Sequence, residues 1–395
     1  MPGFEFMENK AIVGVIGAGT MGSGIAQVAA SAGHKTVLFD ADSRILEKSK
    51  SNLHKTLSKL VEKGKITGKN AENISSNIHF ASSLNDFNEC GLVIEAIIEN
   101  LEAKRNLFLM LEKVVPETCI LASNTSSLSI TSIAAACLHP GRVIGAHFFN
   151  PAPVMPLVEI IKGVVTDTVI VDETQRIISG LSKTTVLAKD SPGFIVNRLA
   201  RPYYGESIRI YEEGLADFAT IDWAMKAFGK FRMGPFELMD LIGNDINYTV
   251  TETVWKQLFY DPRYKPSLTQ RLLFEAKHFG RKTGRGYYDY SEGAVMPEPD
   301  QNKITGEKIV MRVLSMLINE AVDALYYAVA TRDDLDLAMT KGVNYPKGLL
   351  QWCDEIGAEK ILSVLNELGE TYAEDRYRPS VLLKKMVKEK RNFYE

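Results

Sequence analysis

Ala11-Ile12-Val13-Gly14-Val15-Ile16-Gly17-Ala18-Gly19-Thr20-Met21-Gly22, followed by a helical apolar pattern through Ile25, Val28 and Ala29 up to Gly33 and then by Thr36-Val37-Leu38-Phe39-Asp40, decides the fold. The order is strand, tight glycine turn, helix, strand. The three glycines have separate tasks. Gly17 permits the tight turn, Gly19 lets the backbone approach a pyrophosphate, and Gly22 lets the helix pack on the strand, while the helix amino terminus faces the phosphate charge. Asp40 stands at the end of the second strand, where a carboxylate accepts hydrogen bonds from the adenosine ribose hydroxyls and repels a 2′-phosphate. NAD is therefore the expected cofactor. Arg44 lies near enough to soften the preference against NADP, unless it is a solvated helix charge.

Further short apolar runs, residues 92–98, 120–122 and 143–148, alternate with helix-like segments such as residues 101–115. Alternation of this kind predicts a mainly parallel, doubly wound α/β sheet of Rossmann type over residues 1–190. From Ser191 the strand pattern fades and amphipathic patterns, such as residues 194–212 and 221–228, predict an all-α carboxyl-terminal part. A polar stretch over residues 291–308, with Pro297, Pro299 and two glycines, reads as a linker. The segments flanking it resemble each other at a constant offset. Glu206 matches Glu320, Ile221-Asp222-Trp223-Ala224-Met225 matches Leu335-Asp336-Leu337-Ala338-Met339, and Ile242-Gly243 matches Ile356-Gly357. After a one-residue slip, Tyr264-Lys265-Pro266-Ser267 matches Tyr377-Arg378-Pro379-Ser380. The expected architecture is thus one nucleotide domain and two copies of a helical domain, residues 191–290 and 309–395.

Bulk properties agree with such a chain. Its 395 residues exceed one comfortable hydrophobic core, and 45% hydrophobic with 24% charged residues is ordinary globular composition. A net charge of -3 supplies no global field for nucleic acid or an anionic membrane, so neither is an expected partner. The four cysteines lack zinc-site or disulfide-frame spacing, which fits a reducing compartment. The amino terminus carries Glu5 and Glu8 and lacks the features of a secretory signal, and no apolar stretch approaches the length of a membrane helix. A cytoplasmic location is expected, with Met1 and Met7 both open as the start. The six histidines lack ligand spacing, and no metal is expected.

The candidate chemistry lies in Ala146-His147-Phe148-Phe149-Asn150-Pro151, with Glu159 twelve residues after the histidine. Oxidising a secondary alcohol requires removing its hydroxyl proton as hydride leaves the same carbon, and an imidazole titrating near neutral pH suits the proton step. A carboxylate on the other ring nitrogen fixes the tautomer and stabilises the imidazolium. His147 and Glu159 meet if the chain turns at Asn150-Pro151-Ala152-Pro153 and returns along residues 157–161. A histidine closing an apolar strand is, by itself, more often a packing residue than a catalytic one. Here its strand should end at the carboxyl edge of the sheet, where open α/β folds bind ligands, and Asn124-Thr125-Ser126-Ser127 brings hydroxyls to the same edge.

Six ordered motifs then resemble those of the L-3-hydroxyacyl-CoA dehydrogenases over about residues 10 to 290. They are the glycine turn at Gly17, Glu95-Ala96-Ile97-Ile98-Glu99-Asn100, Ser123-Asn124-Thr125-Ser126-Ser127-Leu128, His147 to Pro151 with Leu157-Val158-Glu159, Pro192-Gly193-Phe194-Ile195-Val196-Asn197-Arg198, and Met233-Gly234-Pro235-Phe236-Glu237-Leu238. The resemblance implies reversible, NAD-dependent oxidation of a (3S)-3-hydroxyacyl-CoA to the 3-ketoacyl-CoA. It makes His147 the proton acceptor, Glu159 its partner, Ser126 a hydrogen-bond donor to the reacting oxygen, and Asn197 a substrate-positioning residue. Glu99 and Lys104 match positions along the cofactor, and Asn124 one beside the nicotinamide. Larger members carry the helical domain twice, implying either a monomer with an internal pseudo-dimer or a homodimer. The second copy departs from the motifs, with Met311 opposite Asn197 and no Gly-Pro-Phe-Glu, and is expected to be structural.

CoA needs cationic contacts. Residues 44–69 supply Arg44, Lys48, Lys50, Lys55, Lys59, Lys63, Lys65 and Lys69, with Lys50 and Lys55 the candidates, against the alternative of a solvated helix face. Two other functions compete. A dehydrogenase of free hydroxy or sugar acids, such as L-gulonate, shares the nucleotide domain and histidine, and a non-catalytic nucleotide-binding protein shares the fold. Retention of His147, Glu159 and Asn197 argues against the latter.

Overall fold

In the computed structural model, which describes residues 10–394, the apolar runs of the first half become strands β1 (Val13–Ile16), β2 (Thr36–Phe39), β3 (Ile78–Phe80), β4 (Leu92–Glu95), β5 (Ile120–Ser123), β6 (Val143–Phe148), β7 (Leu157–Lys162) and β8 (Thr184–Lys189). Between them lie helices α1 (Thr20–Ser31), α2 (Ser43–Glu62), α3 (Gly68–Ser76), α4 (Leu101–Leu111), α5 (Ile130–Ala134) and α6 (Thr168–Gly180). The strands form one sheet in the order β3-β2-β1-β4-β5-β6-β7-β8. All neighbouring pairs are parallel except β6 with β7. Strands covered by helices on both faces must be apolar throughout, and every residue of β1, β4, β5 and β6 is buried, Glu95, Ser123 and His147 among them. Those three polar exceptions define the site below. The choice between Met1 and Met7 falls outside the described residues.

The chain divides after Ser191 into two compact units. The second contains only helices as regular elements, among the described residues: α7 (Val196–Leu199), α8 (Arg201–Glu212), α9 (Phe218–Ala227), α10 (Pro235–Ile242), α11 (Asn244–Gln257), α12 (Leu268–Glu275), α13 (Lys303–Tyr326), α14 (Arg332–Gly342), α15 (Leu349–Ile356), α16 (Ala358–Tyr372) and α17 (Val381–Glu389). Two sequence expectations differ. The pattern over residues 194–212 is split at Ala200, where Pro202 sits at the start of α8. The stretch read as linker ends earlier, because the Asn302 side chain caps the backbone N–H of Thr305 and starts α13 at Lys303.

The repeat is visible in contacts. Asp222 accepts from the N–H groups of Phe236 and Glu237 and from the Tyr288 hydroxyl at 2.7 Å. Asp336 accepts from the N–H groups of Leu350 and Gln351 and from the Tyr394 hydroxyl at 3.0 Å. Each aspartate thus caps α10 or α15 from a distance. A Cβ at Gly234 or Gly348 would collide with that carboxylate, which explains why the second copy keeps its glycine while losing Pro-Phe-Glu.

The two copies also exchange partners. Glu206 accepts from Arg312 Nε at 2.6 Å and from the Tyr377 hydroxyl at 2.8 Å, both in the second copy. Glu320 accepts from Arg198 Nε at 2.6 Å, from Arg263 at 3.0 Å and from the Tyr264 hydroxyl, all in the first. Phe231 and Tyr345, at matching positions, meet edge to face with centroids 4.9 Å apart. If residue i touches j′ while i′ touches j, the contact has two-fold character, as in an isologous dimer.

Candidate active site

The glycine turn leaves β1 with Gly17 at φ +97°, a conformation L side chains rarely adopt, and a Cβ at Gly22 would collide with the Gly17 carbonyl. Nothing lies within 4 Å of where a Cβ at Gly19 would stand, so this side of the turn is open. Gly19 is the N-cap of α1, with no side-chain cap and no acid in the first turn. The turn is thus a cradle that suits a pyrophosphate. Asp40 is pinned at the end of β2, where one carboxylate oxygen accepts from the Ala18 N–H at 2.7 Å and the other from the Asp42 N–H at 2.9 Å. Arg44 is held in a two-pronged pair by Asp42, at 3.0 and 2.8 Å.

The hairpin of β6 and β7 places His147 directly opposite Glu159 in antiparallel register. Opposed residues of such a pair project to one face, and here the side chains meet, with His147 Nδ1 2.7 Å from Glu159 Oε2. Glu159 is fully buried and His147 is 7% exposed. A hydrogen on Nδ1 satisfies the carboxylate and puts the lone pair on Nε2. The Phe149 ring packs against the imidazole, with centroids 4.5 Å apart.

Asn124, following β5, accepts from the Phe148 N–H at 2.8 Å and so ties its loop to the end of β6. The next residues converge on Glu99. Its Oε1 accepts from the Thr125 hydroxyl at 2.5 Å, the Ser126 N–H at 3.0 Å, the Ser127 hydroxyl at 3.1 Å and the Ser126 hydroxyl at 3.5 Å. Glu99 Oε2 is 3.2 Å from Lys104 Nζ. Burial pushes the Glu99 carboxyl up, but Lys104 and these donors outweigh it and hold the group below the usual carboxylate range. Lys104 is 1% exposed, and its ammonium also lies 2.6 Å from Glu95. Glu95 belongs to a motif quoted above yet received no role. Its signal was a single carboxylate inside an otherwise apolar run, which folding buries only with a partner.

Beside the glycine turn, a cleft of about 450 Å³ opens between α1 and α2, lined by Gly19, Ser23, Lys48, Asn52, Thr56 and Pro153 among others. Of the two lysines singled out, Lys50 lies with its ammonium over the Phe80 ring, 5.6 Å from the centroid. Lys55 is two turns along α2 from Lys48, on the same helical stripe. Lys48 lines the cleft and was not singled out. Asn197 lies in α7 of the second unit. Among the described residues, no group of three His, Cys, Asp or Glu side chains is placed to hold a metal ion, and no helix is long and apolar enough to cross a membrane.

The sequence profile of the 3-hydroxyacyl-CoA dehydrogenase NAD binding domain matches residues 12–191, and that of the 3-hydroxyacyl-CoA dehydrogenase C-terminal domain matches twice, over residues 193–290 and 309–393. The chain belongs to the 3-hydroxyacyl-CoA dehydrogenase family. Like that family, it is an NAD-dependent oxidoreductase. The chain is 36% identical to the 3-hydroxyadipyl-CoA dehydrogenase of Escherichia coli (strain K12), a match covering 96% of this chain and 98% of that relative. It is 43% identical to the human mitochondrial hydroxyacyl-coenzyme A dehydrogenase, over 70% of this chain and 90% of that one. Its fold is similar to the crystal structure of 3-hydroxybutyryl-CoA dehydrogenase from Escherichia coli K12, with a TM-score of 0.91, 35% identity, and 96% and 98% of the two chains covered.

Proposed function

We propose that this dehydrogenase interconverts a (3S)-3-hydroxyacyl-CoA and its 3-ketoacyl-CoA, with His147 as the acid and base. The bond between His147 Nδ1 and Glu159 is the observation that carries this reading. NAD, when bound on the glycine turn, supplies the hydride acceptor. The chain's own residues handle the proton. Nε2 takes it from the substrate hydroxyl, and the buried Glu159 carboxylate stabilises the imidazolium in surroundings where charge is poorly screened. In the reverse direction the imidazolium returns the proton to the alkoxide. The Ser126 hydroxyl donates to the reacting oxygen, Asn124 holds the loop beside the nicotinamide position, and Glu99 orients that loop. Asn197 is assigned substrate positioning on the motif alone. The second helical copy is assigned the part of a dimer partner, with crossed pairs from Arg312 to Glu206 and from Arg198 to Glu320 in support, so that one chain supplies its own pseudo-dimer.

The test is spectrophotometric. Purified protein with acetoacetyl-CoA or a longer 3-ketoacyl-CoA should consume NADH. Turnover of a free keto acid or sugar acid instead, with none of the thioesters, would establish the competing substrate class.

Two results should follow from the cofactor and CoA contacts. In Asp40→Ser the repulsion of a 2′-phosphate is removed, and kcat/KM with NADH relative to NADPH should fall by roughly tenfold or more, a change of ~1.4 kcal/mol. An unchanged ratio would show that Asp40 does not select the cofactor. Charge reversal at Lys48 and Lys55 should raise KM for the CoA thioester by about tenfold, about 1.4 kcal/mol, with little effect on KM for NADH, and Lys50→Glu should do less because its ammonium lies over Phe80. Equal effects on both substrates would remove α2 as a CoA contact.

A further inference from the structure

Beneath the Ser126 loop, three elements bring together a buried cluster. Glu95, at the end of β4, has no exposed surface. Its Oε1 accepts from Lys104 Nζ at 2.6 Å and from the Ile97 N–H at 2.7 Å, and its Oε2 accepts from the Ser123 hydroxyl at 2.6 Å. From there two arms reach the loop. On one, Lys104 spans from Glu95 to Glu99 Oε2, leaving Glu99 Oε1 to accept from residues 125–127. On the other, the Ser123 hydroxyl oxygen accepts from the Thr125 N–H at 3.3 Å. The same loop holds β6 through Asn124, one residue from His147.

We infer that Glu95 is a positioning residue of the dehydrogenase reaction, which through Lys104 and Ser123 holds the 124–127 loop so that Ser126 meets the reacting oxygen. The inference rests on the function proposed above. Its physical basis is the arrangement of charge. Two carboxylates share one ammonium, and a Lys104 that is 1% exposed is held in place as the bridge between them. With Glu95 in place the ammonium is gripped from below and pulls on only one oxygen of Glu99. Without it, the ammonium is free to move toward Glu99, and the loop donors lose their fixed acceptor. A small displacement of a group that contacts reacting atoms costs up to about 100-fold in rate.

A structural role and a positioning role are separated by the double variant Glu95→Gln/Lys104→Met, which removes the fully buried pair together and takes the cation only from Glu99, whose carboxylate keeps its donors from residues 125–127. Its thermal unfolding should stay close to that of the wild type, since neutral replacement of a buried pair is often tolerated. With acetoacetyl-CoA and NADH its kcat should still fall by about 10- to 100-fold. The acid limb of its kcat/KM profile should also move to higher pH, because Glu99 has lost its cation, and adding Glu99→Gln should abolish that shift. In Glu95→Gln alone Lys104 keeps Glu99 as partner, so this variant should fold and show the same fall in kcat even if the double variant does not. Wild-type turnover combined with variants unchanged in kcat and pH profile would overturn this inference and leave the proposed function standing. No thioester turnover by the wild type would remove both.

Discussion

His147→Gln should lower kcat for acetoacetyl-CoA reduction by about 10³- to 10⁴-fold while leaving NADH affinity within about twofold, at the upper end of what a single acid and base contributes. Glutamine fills much of the imidazole's space and can still donate to Glu159, so the buried carboxylate keeps a partner and the hairpin should hold. It cannot carry a proton to or from the substrate oxygen. Glu159→Gln attacks the same unit from behind. The imidazole loses the charge that fixes its tautomer and stabilises its protonated form, and kcat should drop by roughly 10²-fold or more. The double variant should be little worse than His147→Gln, because two residues acting as one unit do not contribute additively. Rapid-mixing kinetics and NADH fluorescence titration of the three variants check this. Unchanged turnover in His147→Gln would refute the mechanism.

The second large effect is on stability. Glu320→Ala should destabilise the helical unit by about 3–5 kcal/mol, the typical cost of breaking a buried pair from one side. Glu320 is fully buried and accepts from Arg198, Arg263 and Tyr264. After its removal Arg263 keeps Asp323, but the only carboxylate paired with Arg198 among the described residues is gone. Glu206→Ala, the matching change in the first copy, should cost less. Its partner Arg312 is also held by Glu213 at 2.8 and 2.9 Å. The ordering tests the crossed network directly. Thermal unfolding of the two variants should show a fall of roughly 10 °C for Glu320→Ala and a smaller one for Glu206→Ala. Equal shifts, or a change of only about 1 °C in the first, would show that these contacts do not hold the copies together.

Much of this was legible in the chain. The glycine turn, the strand after it and Asp40 lie within one supersecondary unit, where spacing alone dictates what meets what. The duplication showed because turn residues recur with the apolar pattern. The meeting of His147 with Glu159 was legible as a condition, dependent on a reversal at Asn150-Pro151-Ala152-Pro153. Antiparallel pairing of β6 with β7 meets that condition. Lys48 escaped because a run of lysines along one helix does not show which flank faces the cleft. The early start of α13 escaped because Gly306, one of the two glycines of that stretch, reads as a turn residue, while the Asn302 cap three residues before Thr305 is a local signal easily masked by the prolines upstream.

By itself the sequence determined the glycine turn after the first strand, the doubly wound sheet and the helical repeat, and it pointed to the histidine proposed as proton carrier, because each is written in residues close together or in a period repeated along one element. Tertiary structure alone decided which buried charges share partners. Glu95, Lys104 and Ser123 come from three separate elements, and Glu206 and Glu320 each take their arginine from the opposite copy. Local pattern sets the direction in which a side chain leaves its own strand or helix. Its neighbour across the core depends on strand register and helix packing, and burial then forces each charge to pair with whatever those bring within reach.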